Sequence, residues 1–316
     1  MRLVTAADVE NAGALLAGVP EATRPVRTPL LPVPGTELWL KPESLQPTGA
    51  FKIRGAAHAM AALPARERER GVVAYSSGNH ARAVAHAARA FGVPATVVVP
   101  STAPEAKIVA TRALGAEIVP VEVAERERRA REIAARRGAR LLPPFDDIDV
   151  IAGQGTTGLE IVEDLDVDVV LVPISGGGLI SGLAAAVKGA RPGARVIGVE
   201  PELAADAGES LRAGQRITWP PESRTRTAAD GLTAEPSELT FAHIRQLVDD
   251  IVAVSEDEIA EAVGWTAAHC RVVAERSGAV AVAAHWYRQL PAGRTVAVVS
   301  GGNIDLGQLA DLLRSP

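Results

Sequence analysis

Val72-Val73-Ala74-Tyr75-Ser76-Ser77-Gly78-Asn79-His80-Ala81 runs from a β-branched stretch through a turn of small residues into an alanine-rich segment. The apolar run predicts a strand at Val72–Tyr75, and the amphipathic stretch behind the turn predicts a helix at Asn79–Phe91. The same unit then repeats. Ala95–Val99 reads as a strand, Pro104–Leu114 as a helix with proline in its first turn, and Ala116–Val121 as a strand. Arg126–Arg137 reads as a helix whose arginines and glutamates mark a solvated face. Gly92 and Gly115 stand where helix C-caps belong.

A second series begins after Pro143-Pro144. Strands are predicted at Asp168–Pro173, Arg195–Val199, Ile251–Val254 and Thr295–Val299, with helices at Gly178–Ala190, Glu256–Arg271 and Ser277–Leu290. Strands alternating with helices imply mostly parallel sheets joined by right-handed crossovers. Two such series predict two α/β lobes with a ligand between them. The less regular stretch Pro201–Glu238 reads as a surface excursion over the cleft.

A length of 316 residues is consistent with roughly two domains. With 22% charged and 47% hydrophobic residues the composition is that of a globular protein. The net charge of −5 and an aromatic content of 3% exclude a general basic surface for nucleic acid or anionic membranes, and leave little for base stacking. The single cysteine, Cys270, cannot form an internal disulfide, the N-terminus lacks an apolar leader segment, and no stretch approaches a membrane span. A cytoplasmic setting is expected. Among 33 basic residues only Lys41, Lys52, Lys107 and Lys188 are lysines, which leaves few candidates for lysine chemistry.

Three glycine-rich segments could present backbone N–H groups to an anion. Gly153-Gln154-Gly155-Thr156-Thr157-Gly158 matches the dinucleotide pattern G-x-G-x-x-G, but Pro143–Asp147 before it reads as a loop rather than the strand such a site requires. A nicotinamide-dependent oxidoreductase is therefore the weaker, cross-class reading. Ser175-Gly176-Gly177-Gly178-Leu179 is better placed, directly between a strand and a helix, where consecutive glycines admit a phosphate monoester close to the backbone. The P-loop signature is absent. Ser300-Gly301-Gly302-Asn303 closes the last strand, where ligands of open α/β sheets gather.

Lys52 lies in Gln46-Pro47-Thr48-Gly49-Ala50-Phe51-Lys52-Ile53-Arg54-Gly55-Ala56, at a predicted helix start whose dipole disfavours the charged amine. That suits an amine meant to form a Schiff base. With Ser76-Ser77-Gly78-Asn79-His80-Ala81, these segments resemble, in order and spacing, the fold-type II pyridoxal-phosphate enzymes, specifically the serine/threonine dehydratase and serine racemase family. The resemblance runs from about Thr28 to the C-terminus.

It implies a two-lobed, three-layer α/β fold of the tryptophan synthase β type. Residues 1–70 and 149–316 would form the larger, cofactor-bearing domain and 71–148 the smaller one. It makes Lys52 the Schiff-base lysine and general base, with Phe51 and Gly231 on the two faces of the pyridine ring. Asn79 would bond the ring hydroxyl, Ser175, Gly176, Gly177, Gly178 and Leu179 would cradle the phosphate, and Ser300 would face the ring nitrogen. A neutral hydroxyl there makes the ring a weaker electron sink than a carboxylate would, which favours β-elimination. Ser76, Ser77, Asn79 and His80 would hold the substrate carboxylate.

Ser77 stands where similar dehydratases often carry alanine and racemases carry serine, a second acid/base on the face opposite Lys52. The residue-level alternative is a helix N-cap. Glu200, Ala204 and Asp206 resemble the divalent-cation site of the racemase-like branch, with oxygen ligands suited to magnesium or calcium. Arg128 aligns with an arginine that contacts acidic ligands, though a solvated helix face is an equal reading. His80 is expected to orient substrate or to pack, and Cys270 to be a buried thiol. His58, His86, His243, His269 and His285 show no metal-ligand spacing.

There are departures from the family pattern. Ser175 replaces a glycine, Pro47 replaces a lysine that helps bind ATP in animal serine racemase, and Ala234 replaces a substrate-contacting serine. The chain also ends soon after Asn303, so the regulatory domain of biosynthetic threonine dehydratases is not expected. The resemblance thus implies a homodimeric ammonia-lyase that uses pyridoxal phosphate on a β-hydroxy amino acid such as L-serine or L-threonine. The alternatives within the class are a serine- or aspartate-type racemase and a threo-3-hydroxyaspartate ammonia-lyase.

Overall fold

The computed structural model describes residues 1–314. Helix α1 (Ala6–Ala17) starts at a capping box between Thr5 and Asp8, and is followed by the antiparallel strands β1 (Leu31–Pro32) and β2 (Leu38–Pro42). Helices α2 (Lys52–Ala62) and α3 (Ala65–Arg70) come next. The quoted stretch then opens the run β3 (Val72–Tyr75), α4 (Asn79–Phe91), β4 (Ala95–Pro100), α5 (Glu105–Arg112), β5 (Glu117–Val121), α6 (Arg126–Arg137) and β6 (Arg140–Leu141). Its four strands form an all-parallel sheet in the order β5-β4-β3-β6.

The long helix α7 (Ile148–Asp164) leads back to β7 (Val169–Pro173), α8 (Gly178–Ala190), β8 (Arg195–Pro201), α9 (Asp206–Ala213), α10 (Pro221–Arg224), α11 (Glu238–Leu247) and β9 (Asp250–Val254). The chain closes with α12 (Glu256–Cys270), α13 (Arg276–Tyr287), β10 (Thr295–Val299) and α14 (Leu306–Arg314). The second sheet has six strands in the order β1-β2-β10-β7-β8-β9, parallel except for β1. Its strands are apolar on both faces because both are covered: α12 and α13 pack on one side, and α8 with α11 on the other. No helix among the described residues is long and apolar enough to cross a membrane.

The predicted strands and helices are found within a few residues of their expected ends, and Gly178–Ala190 and Thr295–Val299 coincide with theirs. Pro104 caps α5 from outside rather than entering its first turn. Helix α2 precedes the smaller sheet in sequence but shares its core: Ile53, Ala56, Ala59 and Met60 pack with Val72, Ala74, Val84 and Ala87. The N-terminal end of α2 carries Lys52.

Two readings change. Gly153–Gly158 is no phosphate turn but the middle of α7, and its glycines serve close helix contact. A Cβ on Gly155 would meet the Gly182 carbonyl at 2.6 Å, and one on Gly153 the Arg54 carbonyl at 2.6 Å. The pattern that suggested a dinucleotide thus reports the packing of α7 on α8 and α2. Pro201–Glu238 is a surface excursion only in part: 212–215 and 220–222 are exposed, whereas Ala204, Ala207, Arg224, Ala229 and Leu232 are buried, and Arg224 Nη1 donates to the Thr233 carbonyl at 2.6 Å. The reason is that the segment covers the end of β8 and joins it to the site, as described next.

Candidate active site

The first turn of α2 is set by its neighbours. Ala50 bridges Gly301, Phe51 N–H donates to the Ser300 carbonyl at 3.0 Å, and Gly302 N–H to the Gly49 carbonyl at 2.9 Å. Gly49 needs its left-handed backbone, φ +75°, and has no room for a Cβ against Asn303. Two separated sequence motifs are thereby stitched together. Lys52 emerges from this turn half-buried, with Nζ 4.8 Å from the Phe51 ring centroid and donating to the Pro144 carbonyl at 2.7 Å. Burial pushes its ammonium down to about 7. A lysine that is free amine near neutrality can act as nucleophile and base.

Strand β3 ends at the same place. Ser76 Oγ accepts the Gly78 N–H at 3.2 Å, whereas Ser77 does not cap α4: the N-cap is Gly78, and Ser77 makes no side-chain hydrogen bond among the described residues. Asn79 Nδ2 donates to Glu275 Oε1 at 2.6 Å, and its Oδ1 accepts from Asn303 Nδ2 at 2.7 Å. His80 is buried, Nε2 donates to the Leu142 carbonyl at 2.9 Å, and Nδ1 is left without a partner. Burial first, then the neighbouring Lys52, pushes its imidazole down to about 3, so it stays neutral.

Strand β7 delivers Ser175–Leu179 to the N-terminus of α8, with Gly177 at φ +86°. The N–H groups of Gly176, Gly177, Gly178 and Leu179 have no acceptor among the described residues, so the turn offers donors and a helix dipole to an anion. The extra hydroxyl of Ser175 is already used: it donates to the Ala234 carbonyl at 2.7 Å and accepts the Ala234 N–H at 2.8 Å. It ties the 229–235 segment to the turn. Gly231 N–H donates to Ser277 Oγ at 2.9 Å, and buried Ser300 Oγ donates to the Ser277 carbonyl at 3.4 Å.

Glu275 was missed in the sequence. It is the N-cap residue of α13 without capping it, and its carboxyl turns instead to Asn79. Burial pushes that carboxyl up to about 7, against the Asn79 hydrogen bond. The available signal was one acid directly after the apolar run Val272-Val273-Ala274. Arg82, which donates to Asn303 Oδ1 at 2.7 Å, and Asn303 itself complete a polar row around Asn79.

Arg128 is not brought to this place. It is exposed and paired with Glu125 and Glu132 of its own surface. Glu200 and Asp206 lie apart from Lys52, at the end of β8. Glu200 is buried and accepts the N–H groups of Ala207 at 3.1 Å and Gly208 at 2.8 Å, while Asp206 Oδ2 has no partner. Burial raises Glu200 to about 8 and Asp206 to about 6. No group of three or more His, Cys, Asp and Glu able to hold a metal occurs among the described residues. Cys270 is half-buried.

The raised Glu200 pKa has a measurable consequence. The folded chain keeps a proton that the unfolded chain releases between about 4.5 and 8, so stability falls as pH rises through that window. Thermal melting with a chelator present should show Glu200→Gln gaining about 4 °C or more over the wild type at pH 8, with the advantage vanishing near pH 4.5. An equal difference at both pH values would refute the assignment.

The residues gathered at Lys52 suit pyridoxal phosphate. They comprise an amine in a buried setting, an aromatic face, four open N–H groups at a helix start, an amide and a hydroxyl. The comparisons agree. The chain is 46% identical to L-threonine ammonia-lyase of Thermotoga maritima over 315 residues, which is 97% of this chain and 77% of that one. It is 42% identical to serine racemase of Arabidopsis thaliana, covering 92% of this chain and 91% of the relative. The solved structure of maize serine racemase superposes with a TM-score of 0.91 at 37% identity, covering 98% and 97% of the two chains. The model of the family described as "Pyridoxal-phosphate dependent enzyme" matches residues 23–301, and the chain belongs to that family.

Proposed function

We propose that this protein eliminates water from a β-hydroxy amino acid with one carboxylate, L-threonine or L-serine, to give a 2-oxo acid and ammonia. The observation that carries the reading is Lys52, a half-buried amine near neutrality beside the open N–H groups of Gly176–Leu179 and the Asn79 row. The names of the relatives support it.

Pyridoxal phosphate, when bound, supplies the electron-accepting ring that acidifies the substrate α-carbon. The chain's part is to bind and to move protons. Gly176–Leu179 would hold the phosphate, Asn79 the ring hydroxyl, Phe51 and Gly231 the ring faces, and Ser300 the ring nitrogen. The Ser76 hydroxyl and the backbone N–H groups of Ser77, Asn79 and His80, at the start of α4, would hold the substrate carboxylate. Lys52 Nζ takes the α-proton and passes a proton on to the departing β-hydroxyl, which leaves as water, and hydrolysis of the released enamine yields the oxo acid and ammonia. Residues 1–70 and 149 onward form the larger unit in this reading, and 71–148 the smaller.

Glu200, the Ala204 carbonyl and Asp206 would hold magnesium or calcium, supported by the unpartnered Asp206 oxygen in a buried acidic pair. Arg128 offers no support for a second substrate carboxylate, because it is already paired at the surface. Racemisation is a second reading favoured by one observation, the uncommitted Ser77 hydroxyl next to Asn79.

Proton NMR in deuterium oxide, with cofactor and magnesium, tests both on L-serine, L-threonine and threo-3-hydroxyaspartate given separately. Oxo acid from serine or threonine is expected. Ser77→Ala should abolish any D-isomer while leaving elimination within about 3-fold, since only inversion needs an acid on the second face. Oxo acid from none of the three substrates, or from threo-3-hydroxyaspartate alone, would overturn the proposal.

A further inference from the structure

Gln154 lies in the middle of α7 and is fully buried. Its Nε2 donates to the Pro144 carbonyl at 3.4 Å, the same oxygen that receives Lys52 Nζ at 2.7 Å. Its Oε1 has no partner, and it lies toward the first turn of α8, where a Cβ on Gly178 would stand 2.7 Å from it. The amide therefore spans the space between the acceptor of the lysine and the anion-binding turn. Packing alone does not require an amide: methionine has the same reach with no polar atom to leave unsatisfied.

A carbonyl oxygen has two lone pairs, so Pro144 can take both donors. Sharing the oxygen has two effects. The Gln154 N–H fixes the direction in which the carbonyl points, and it draws off electron density that would otherwise stabilise a protonated amine. We propose that Gln154 is a positioning residue for Lys52: through the Pro144 carbonyl it aims the free amine and keeps that oxygen a weak acceptor for the ammonium form. The inference rests on the reading of Lys52 as the reactive amine.

The other groups around Lys52 leave room for this effect. His80 on α4 faces it and stays neutral. Arg54, two residues on in α2, turns away to Glu43 and Glu160. Asp147 at the start of α7 is tied to Arg140 and to the N–H groups of Asp149 and Val150. The first turn of α8 carries no titratable side chain.

With only four lysines in the sequence, ¹³C labelling at the lysine ε-carbon gives a readable titration of the full-length chain freed of cofactor. The wild type should show one lysine with a midpoint near 7. In Gln154→Glu the carboxylate cannot donate to Pro144 and adds an opposite charge, so that midpoint should rise by about 1–2 pH units. In Gln154→Met only the shared donor is lost, and the rise should be about half a unit. In the holoenzyme the acid limb of kcat should move by the same amount, with KM within about 2-fold of wild type. A midpoint that stays put in both variants would overturn the proposal, whatever turnover does, because a merely structural glutamine would lower activity without moving the lysine. If Gln154→Glu does not fold, the Gln154→Met shift decides alone. Failure to make oxo acid from any substrate would instead sink the reading of the reaction, since the titration involves no substrate.

Discussion

Lys52→Ala is expected to lower turnover of serine and threonine by about 10³-fold or more while leaving the melting temperature close to wild type. The side chain is half-buried and its one polar contact is with the Pro144 carbonyl, so its removal disturbs little packing. What disappears is the amine that, in the proposed function, joins the cofactor and takes the α-proton. Lys52→Arg should fail to a similar degree, because a guanidinium does not deprotonate and so cannot serve either role. The sign of the pH dependence follows from the same residue. The amine is uncharged above about 7 and protonated below, so wild-type turnover should rise with pH through about 7. Steady-state rates of oxo-acid formation between pH 5.5 and 8.5, with melting curves as a control, test all three statements. A Lys52→Ala variant that kept a tenth of the rate would remove the proposed function altogether.

The second large effect is on stability. Arg54→Met should cost about 3–5 kcal/mol, enough to take up much of the stability of an ordinary domain. Arg54 is 1% exposed and bidentate to two carboxylates: Nε and Nη2 reach Glu43 at 2.7 and 2.8 Å, and Nη1 and Nη2 reach Glu160 at 2.7 and 2.9 Å. Lys41 Nζ adds a contact to Glu160 at 2.5 Å. Removing the guanidinium leaves Glu43, itself 0% exposed, with hydrogen bonds from Thr28 and Gln46 but without its direct ion pair. Urea denaturation should show a lower midpoint with an unchanged slope. Adding Glu43→Gln to Arg54→Met should recover part of the loss, because the buried charge left behind is then gone. Strict additivity of the two losses would mean that the pair is not coupled. This network also clamps the helix that presents Lys52, so a residual activity loss beyond the unfolded fraction is expected.

Much of the architecture was legible because its signals are local. Apolar runs such as Val169–Pro173 and Thr295–Val299 become parallel strands by virtue of being covered on both faces, and that requirement is written in their side chains. Lys52, Asn79 and Ser300 were singled out for a different reason: the segments that carry them resemble, in order and spacing, those of a known enzyme family. Glu275, Gln154 and Asn303 were not legible. Their roles depend on partners far along the chain, such as Asn79 for Glu275 and Pro144 for Gln154. For Arg128 the sequence left a ligand contact and a solvated helix face open, and its pairing with Glu125 and Glu132 at the surface fits the second.

By itself, then, the sequence determined the alternation of strands and helices, the scarcity of lysine, and the residue types at three glycine-rich turns, because these follow from local periodicity and backbone freedom. The sequence already ranked 175–179 above 153–158 as an anion turn, and the tertiary structure supplied the physical reason. The glycines of 153–158 lie inside a helix and are filled by neighbouring backbones, whereas the N–H groups of 176–179 stay open at a helix start. Only the fold could make Lys52 a reactive amine, for its charge is disfavoured by burial between elements that meet from residues 51, 80, 144 and 300, and burial is a property of the assembled chain.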